Sequence, residues 1–410
     1  FNRAKRGILG SPALGDLDGD GDLEVVVAAL DRHVYAWHHD GRPVSGFPVL
    51  LVDPAKVAAV DPVTHKVTFT ANSRVGQGGE LTATPTLVDL DGDGRSEIVV
   101  GAQEQYTEPV LALPGLGAPG GNTRLYAISP AGRNAKGRER NAAHPDEQAY
   151  VPGWPVPLPM VLTSVLPTIG DGVAVQAAAG DVDRDGRPEI VATSASGQTR
   201  VLNGDGTGAY GDPFGLPVGL NWFGAVGGGS NSTDTAALLS AFGGPALGRI
   251  HSSGLDVAAP TTGANRALDT LFTNDQDGDP QLTVWDGRTG AVRPGFPRVT
   301  ADLAFFVTPS VVDVDGDGRN EVVAANGLHL IDAFSANGAT PSGWPKLTNG
   351  WVVGTTGSGD WDGDGRAEIA AVRRDGVLMV WRTPTPAGAL GDWTRFGANG
   401  RNDGTVRSGR

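Results

Sequence analysis

Residues 313–321 read Asp313-Val-Asp-Gly-Asp-Gly-Arg-Asn-Glu321 and run straight into Val322-Val323-Ala324-Ala325, an acidic loop feeding an apolar strand. The same nine-residue text returns without a gap as Asp16-Leu-Asp-Gly-Asp-Gly-Asp-Leu-Glu24 and Asp89-Leu-Asp-Gly-Asp-Gly-Arg-Ser-Glu97. It returns again as Asp181-Val-Asp-Arg-Asp-Gly-Arg-Pro-Glu189 and Asp360-Trp-Asp-Gly-Asp-Gly-Arg-Ala-Glu368. Self-similarity of this kind outranks local propensity, because it sets the unit from which the fold is built. Around the loop lie further markers. Ser11-Pro12, Thr84-Pro85 and Thr308-Pro309 precede it. Gly46-Phe47-Pro48, Gly153-Trp154-Pro155, Gly295-Phe296-Pro297 and Gly343-Trp344-Pro345 follow it, with a looser Phe214-Gly215-Leu216-Pro217 and Trp393 in the matching place near the end. Between loop and marker runs an apolar strand such as His33–Trp37, Leu125–Ile128, Leu282–Trp285 or Leu378–Trp381.

The markers count six units. One of them, Pro245-Ala246-Leu247-Gly248, keeps the strand text of Pro12-Ala13-Leu14-Gly15 but carries Arg249, His251 and Ser253 where Asp16, Asp18 and Asp20 stand. That unit is expected not to bind metal in its loop. The shortest repeat, Asp313 to Asp360, is 47 residues, and units of about 40–50 residues with four strands each are the mark of propeller blades. The expected fold is therefore an all-β propeller of four-stranded blades, with six or seven blades, forming one domain over residues 1–410. Longer spacings read as insertions at about 53–80, 103–150 and 218–244: an extra hairpin in the first, polar or Gly/Pro-rich loops in 103–122 and 133–150, and a short helix around Thr235–Phe242. Phe1–Gly7 loosely echoes Phe396–Arg401, so the ring is expected to close by pairing its two ends in one blade.

The loop has the chemistry of a hard-cation site. Ca²⁺ takes six to eight oxygens, and alternate residues of a coiled loop converge on one centre. Positions 1, 3 and 5 supply aspartates, glycine at 6 allows the turn, position 7 offers a backbone carbonyl, and the glutamate at 9 closes the sphere. The ligand sets are Asp16, Asp18, Asp20, Asp22 and Glu24; Asp89, Asp91, Asp93, Arg95 and Glu97; Asp181, Asp183, Asp185, Arg187 and Glu189. The last two are Asp313, Asp315, Asp317, Arg319 and Glu321, and Asp360, Asp362, Asp364, Arg366 and Glu368. Mg²⁺ keeps its waters and Zn²⁺ asks for His or Cys, so five structural Ca²⁺ ions are expected. A single such loop is also what a solvated Asp-Gly turn looks like; five copies at blade spacing are not. Asp275-Gln-Asp-Gly-Asp279, with Pro280 where glycine is needed, reads as a polar turn, and Gly227–Ser230 as a flexible one.

These loops resemble the FG-GAP (VCBS) repeats of the integrin α-subunit propeller over about Ser11 to Trp393. The resemblance implies calcium ligands at the Asp, Asp, Asp and Glu positions above. Because the Phe-Gly and Gly-Ala-Pro text is only partly present, as in Val100-Gly101-Ala102, it implies a bacterial-type secreted relative. Members of that family serve in adhesion, carbohydrate binding and protein interaction, and some accompany enzymes.

The formal net charge of −14 argues against nucleic acid and acidic membranes as partners. Cysteine is absent and no apolar run approaches a membrane span. The start at Phe1 reads as a processed form whose export signal has been removed. The functional expectation is a secreted or cell-surface binding, adhesion or assembly module for a protein or glycan, alone or as a subunit of a larger assembly. Its alternative is a polysaccharide lyase or glycosidase. Glycosidases need a carboxylate pair across a groove, and only Glu80, Glu104, Glu108, Glu139 and Glu147 lie outside the loops as candidates, with solvated loop acids as their plainer reading. His38-His39 is expected to have no metal role, since neighbouring strand residues face opposite ways, and the Trp154 and Trp344 markers are expected to pack blades.

Overall fold

A computed structural model describes residues 7–70, 75–106, 121–135, 143–160, 172–194, 198–211, 237–240, 243–251, 254–263, 280–302, 304, 307–389 and 391–407. The protein is an all-β propeller with six blade sheets and one separate hairpin among these residues. Each blade opens with a three-residue inner strand: Ala13–Gly15, Thr86–Val88, Ala178–Gly180, Ala246–Gly248, Ser310–Val312 and Gly357–Gly359. The acidic loop then turns the chain through the second strands, Glu24–Ala28, Glu97–Gly101, Glu189–Thr193, Asp256–Gly263, Glu321–Ala325 and Arg366–Val372. Third strands follow at His33–Trp37, Gly121–Ile128, Thr199–Leu202, Pro280–Asp286, Leu330–Phe334 and Leu378–Pro386. Fourth strands at Val49–Leu50, Val156–Met160, Arg298–Val299 and Lys346–Leu347 complete blades 1, 2, 4 and 5. All ladders within blades are antiparallel, as short connections require.

Strand alternation assigns one face of each blade to each neighbour. In blade 1, Val26, Ala28, Val34 and Ala36 pack on Ile98 and Val100 of blade 2. In blade 2, Val99, Leu125 and Ala127 pack on Ile190 and Ala192 of blade 3. Blades 3, 4 and 5 share a further cluster, and Val323, Ile331 and Ala333 of blade 5 meet Ile369 and Ala371 of blade 6. Each fully buried aliphatic side chain contributes about 1.5–3 kcal/mol, so these seams supply most of the cohesion between blades. The Gly-aromatic-Pro marker is a seam device. Gly46, Gly153 and Gly295 hold φ near +90° and lie so close to Ala131, Asp205 and Asn337 of the next blade that a Cβ would overlap their carbonyl oxygens. The Trp154 indole N–H donates to the Gly204 carbonyl at 2.9 Å. The Phe or Trp to Pro bond is cis in all four markers.

Among the described residues the two ends of the chain do not form one blade. Instead residues 391–407 run along the inner strands. Gly391–Trp393 pairs antiparallel with Ser310–Val312 of blade 5, and Asp392 accepts from the Arg249 N–H of blade 4 at 2.7 Å. The Ser358 N–H of blade 6 donates to Thr394 O at 2.8 Å, and that of Leu14 in blade 1 to Arg401 O at 2.9 Å. Leu87 of blade 2 donates to Asp403 O at 2.9 Å, and Ala179 of blade 3 to Gly404 O at 2.8 Å. The physical reason is that an inner strand has an open edge whose N–H groups need acceptors. Trp393 is accordingly not a sixth marker: it is buried in the cluster shared by blades 3 to 5.

Insertions bring other corrections. The expected hairpin in 53–80 is present as Val57–Val60 with Val67–Phe69. The expected helix near 235–242 is a strand, Ala237–Ser240, paired with Asp256–Gly263; so short a segment is worth more in a ladder than as an isolated helix. Glu104–Tyr106 is also a strand rather than loop, pairing with Val75–Gly78 and Gly121–Ile128. The 214–217 marker, Gly227–Ser230 and Asp275–Asp279 lie outside the described residues.

Among the described residues one face has no packed apolar neighbour. Blade 6 has three strands among the described residues, and its far side exposes Val372 by 54%, Leu378 by 52% and Val380 by 44%. Blade 1's corresponding face, with Val25, Tyr35 and Trp37 half-buried, forms no apolar cluster with it. Truncating Trp393 to Ala is expected to cost about 3–5 kcal/mol in urea unfolding. Leu378→Ala on the open face should change it by under about 1 kcal/mol. Equal costs would show that the segment along the axis is not part of the core.

Candidate metal sites

Five loops share one construction. The register pairs the last inner-strand residue with the closing glutamate: Gly15 with Glu24, Val88 with Glu97, Gly180 with Glu189, Val312 with Glu321 and Gly359 with Glu368. Each glutamate is buried and turns Oε2 to the N–H of position 2, on Leu17, Leu90, Val182, Val314 and Trp361, at 2.7–3.0 Å. The aspartates organise the coil itself. Asp313 accepts from Gly316 N at 2.6 Å and Gly318 N at 2.9 Å, Asp315 from Asp317 N, and Asp317 from Arg319 N. Asp16, Asp89 and Asp360 repeat that pattern with their own loops. Position 4 also needs a left-handed backbone, which glycine supplies in four loops and Arg184 adopts at φ 70° in the third.

Carboxylate oxygens are thereby crowded. Ligand atoms of Asp16, Asp18 and Asp20 lie within 4.8 Å of one another, as do those of Asp89, Asp91 and Glu97, of Asp181, Asp183 and Glu189, and of Asp313, Asp315 and Glu321. Burial, and then the neighbouring aspartates, push Glu97 and Glu189 up to about 7 and Glu321 up to about 8. Asp181 Oδ1 and Glu368 Oε1 are buried without a hydrogen-bond partner. Buried acceptors facing like charge fit a cation, and a divalent ion ligated by oxygens is what this donor set could hold. At position 7 of the second loop the Arg95 side chain folds back onto Asp93 at 2.6 Å and lowers its pKa. Asp313 is itself covered: Thr385 of blade 6 donates to it at 3.2 Å.

Blade 4 is the internal contrast. Its loop is one residue shorter, and Gly248 pairs with Asp256, which takes the closing place. Asp256 is fully buried and meets Arg293 at 2.6 Å and His251 Nδ1 at 2.9 Å. Arg249, at position 1, ion-pairs with Asp392. Ser253 lies outside the described residues. Where the aspartates are gone, the Arg293 guanidinium supplies the positive charge.

Two residues were undervalued by sequence. His38 and His39 follow the end of the third strand, so the alternation argument does not reach them. His38 Nδ1 lies 3.2 Å from Glu24 Oε1, and His39 Nδ1 lies 3.3 Å from Asp22 Oδ2. The signal was the ladder: Val25 opposite Trp37 places His38 opposite Glu24. The inserted acids also differ from solvated loop acids. Glu104 is fully buried, accepts from Tyr106 at 3.0 Å and Tyr126 at 2.5 Å, and faces Arg32 at 3.5 Å. Arg124 beside it binds Asp53 at 2.7 Å and covers the Tyr106 ring. Glu80 is buried too, Glu147 sits in a 3₁₀ turn, and Glu108 and Glu139 are outside the described residues.

No protein-family model matches this chain, and no curated protein does. Among solved structures it is similar to BBS1N in complex with ARL6DN, at 12% identity and TM-score 0.44, over 94% of this chain and 86% of that one. It is similar to BamB from Moraxella catarrhalis at 12% identity and TM-score 0.39, over 92% and 86%. The exotype rhamnogalacturonan lyase YesX aligns at 14% identity and TM-score 0.37, over 94% and 69%.

A carboxylate raised by folding stabilises below its unfolded pKa and loses that contribution as pH rises through its folded value. In chelator, stability should therefore fall between about pH 5 and pH 8 through Glu97, Glu189 and Glu321. Excess divalent cation should remove that fall, and melting curves with and without chelator test it; superimposed curves would mean empty loops. In blade 4, Arg293→Met should cost about 3–5 kcal/mol by stranding Asp256, with no rescue by added cation.

Proposed function

We propose that this chain is an FG-GAP/VCBS-type propeller whose five acidic loops bind Ca²⁺, and that it works outside the cell as a binding or assembly module for a protein partner. Calcium is supported by the donor set: carboxylates at positions 1, 3, 5 and 9 and a carbonyl at 7 make an all-oxygen cage, which Mg²⁺ seldom accepts. When bound, the ion neutralises the crowded loop. The chain's own residues do the rest: the closing glutamate ties the loop to the second strand, and the position 1 aspartate holds the coil. Millimolar extracellular calcium suits loops of moderate affinity, and five divalent ions would offset ten of the fourteen net negative charges.

The observation that carries the binding role is blade 6. Its third strand, Leu378–Pro386, has no fourth strand beside it among the described residues, and Val372, Leu378 and Val380 stand exposed. An open strand edge beside an apolar patch suits a polypeptide strand better than a sugar. A polysaccharide-active enzyme has one observation in its favour, a cavity of ≈ 510 Å³ along residues 391–407, with Asp392, Asn399, Arg401 and Arg407 on its wall.

Capture of partners by the wild type and by a Leu378→Asp, Val380→Asp variant, with sedimentation to register self-association, tests this reading. Complex formation should drop at least about tenfold in the variant while the calcium-dependent rise in melting temperature stays. Equal complexes from both proteins would remove blade 6 as the interface, and turnover of acidic polysaccharides would favour the enzyme.

A further inference from the structure

The segment along the axis walls a cavity of its own. We propose that this cavity, ≈ 510 Å³ against residues 391–407, binds a small hydroxycarboxylate of the sugar-acid class, with Arg401 taking the carboxylate. The inference rests on neither the metal loops nor blade 6. The volume lies within the range of small-molecule sites, about 300–1,000 Å³. Charge on the wall sets the class of ligand. Asp392 is held by the Arg249 guanidinium and accepts from Arg249 N at 2.7 Å and Asn320 Nδ2 at 3.1 Å. Arg407 reaches back at 2.6 Å to Asp403, whose buried carboxylate also accepts from Asn399 Nδ2 and Thr405 N. Both acids are therefore already neutralised. Arg401 is the contrast: its exposed side chain makes no ion pair or hydrogen bond among the described residues. In a chain of net charge −14, an unpaired cation on a cavity wall selects an anion. The planar guanidinium fork matches a carboxylate with two parallel hydrogen bonds.

The other wall groups ask for hydroxyls. Thr394 Oγ1 gives its proton to Ala398 O at 3.2 Å and Thr405 Oγ1 gives its own to Leu87 O at 2.9 Å, so each keeps only lone pairs for a ligand. Asn399 Oδ1 accepts from Arg401 N at 2.8 Å and has a second lone pair. A ligand with one carboxylate and several O–H donors satisfies this set. A simple anion leaves the acceptors unmet, and an apolar acid finds only Ala398 and Val406 for its chain among the described residues. The backbone is shaped to the cavity as well. Ala398 is held at φ 68°, in the left-handed region that residues with a Cβ avoid, and such outliers gather where ligands are held. Gly400 has open space where a Cβ would stand, and both it and Arg401 are exposed, which leaves a way in. Asp392 is the one carboxylate on the wall among the described residues. The acid pair that glycoside hydrolysis needs is thus not assembled here, and the site binds.

Isothermal titration of the full chain, dialysed in millimolar Ca²⁺, with D-glucuronate tests the site; D-glucose, acetate and inorganic phosphate are the controls. Glucuronate should bind at least about tenfold tighter than each control. Arg401→Gln should weaken glucuronate at least about tenfold and leave the melting temperature unchanged, because that side chain bonds to nothing else among the described residues. Arg395→Gln, exposed in the same segment but off the wall, should bind as the wild type does. A glucuronate-ended oligosaccharide separates two sources of the same chemistry: tighter binding than the free sugar assigns a chain end, weaker binding a free acid. No uptake of glucuronate at millimolar concentration, a control that binds equally well, or an unaltered Arg401→Gln each overturns the site. The Leu378→Asp, Val380→Asp variant should keep its glucuronate, so this site and the blade 6 interface stand or fall separately.

Discussion

Everything in this propeller turns on a buried carboxylate near the start of each second strand, a glutamate in five blades and Asp256 in blade 4. One oxygen is spent on the position 2 N–H, which fixes how the loop leaves the inner strand. The other lies beside the loop aspartates, where burial and then like charge raise the pKa of Glu97, Glu189 and Glu321. A blade can meet that demand in two ways. Five blades keep the aspartates, whose charge the proposed Ca²⁺ would neutralise. Blade 4 replaces them and brings Arg293 and His251 to the one acid it retains. The same position in the ladder thus sorts the blades by the source of their positive charge.

The second constraint is backbone accounting at the axis. Three-residue inner strands offer few ladder bonds of their own, and one edge of each faces inward. Residues 391–407 meet that edge in blade after blade, so segments separated by hundreds of residues are bound to one short stretch. Cohesion around the ring is divided: apolar seams join successive blades from 1 to 6, while the axial segment reaches blades that share no seam. Blades 6 and 1 share no packed apolar cluster among the described residues, but both donate to that segment.

Much of this was legible in the chain. A strict acidic text followed by β-branched residues has a local cause and a local effect, so Asp313–Glu321 and its copies could be read at sight. The marker glycines were visible as a pattern, but their reason was not: Gly46 needs to be glycine because of Ala131, in another blade. The same holds for Glu104, a loop acid by its surroundings in sequence, which is buried by Tyr106, Tyr126 and Arg32. The short stretch Ala237–Ser240 has the composition of a helix and became a strand because Asp256–Gly263 offered it a ladder.

By itself, then, the sequence determined the all-β repeat, the blade length, the five acid loops and the one that lost them, since each is read from a short local text and its recurrence along the chain. Only the tertiary structure decided that the C-terminal segment lies along the axis instead of completing blade 1, that Trp393 is core, that blade 6 is left with an open face, and that His38 meets Glu24. Those contacts join residues far apart in the chain or across a ladder, and a side chain's neighbours at that range are set by packing and register, which no local pattern encodes.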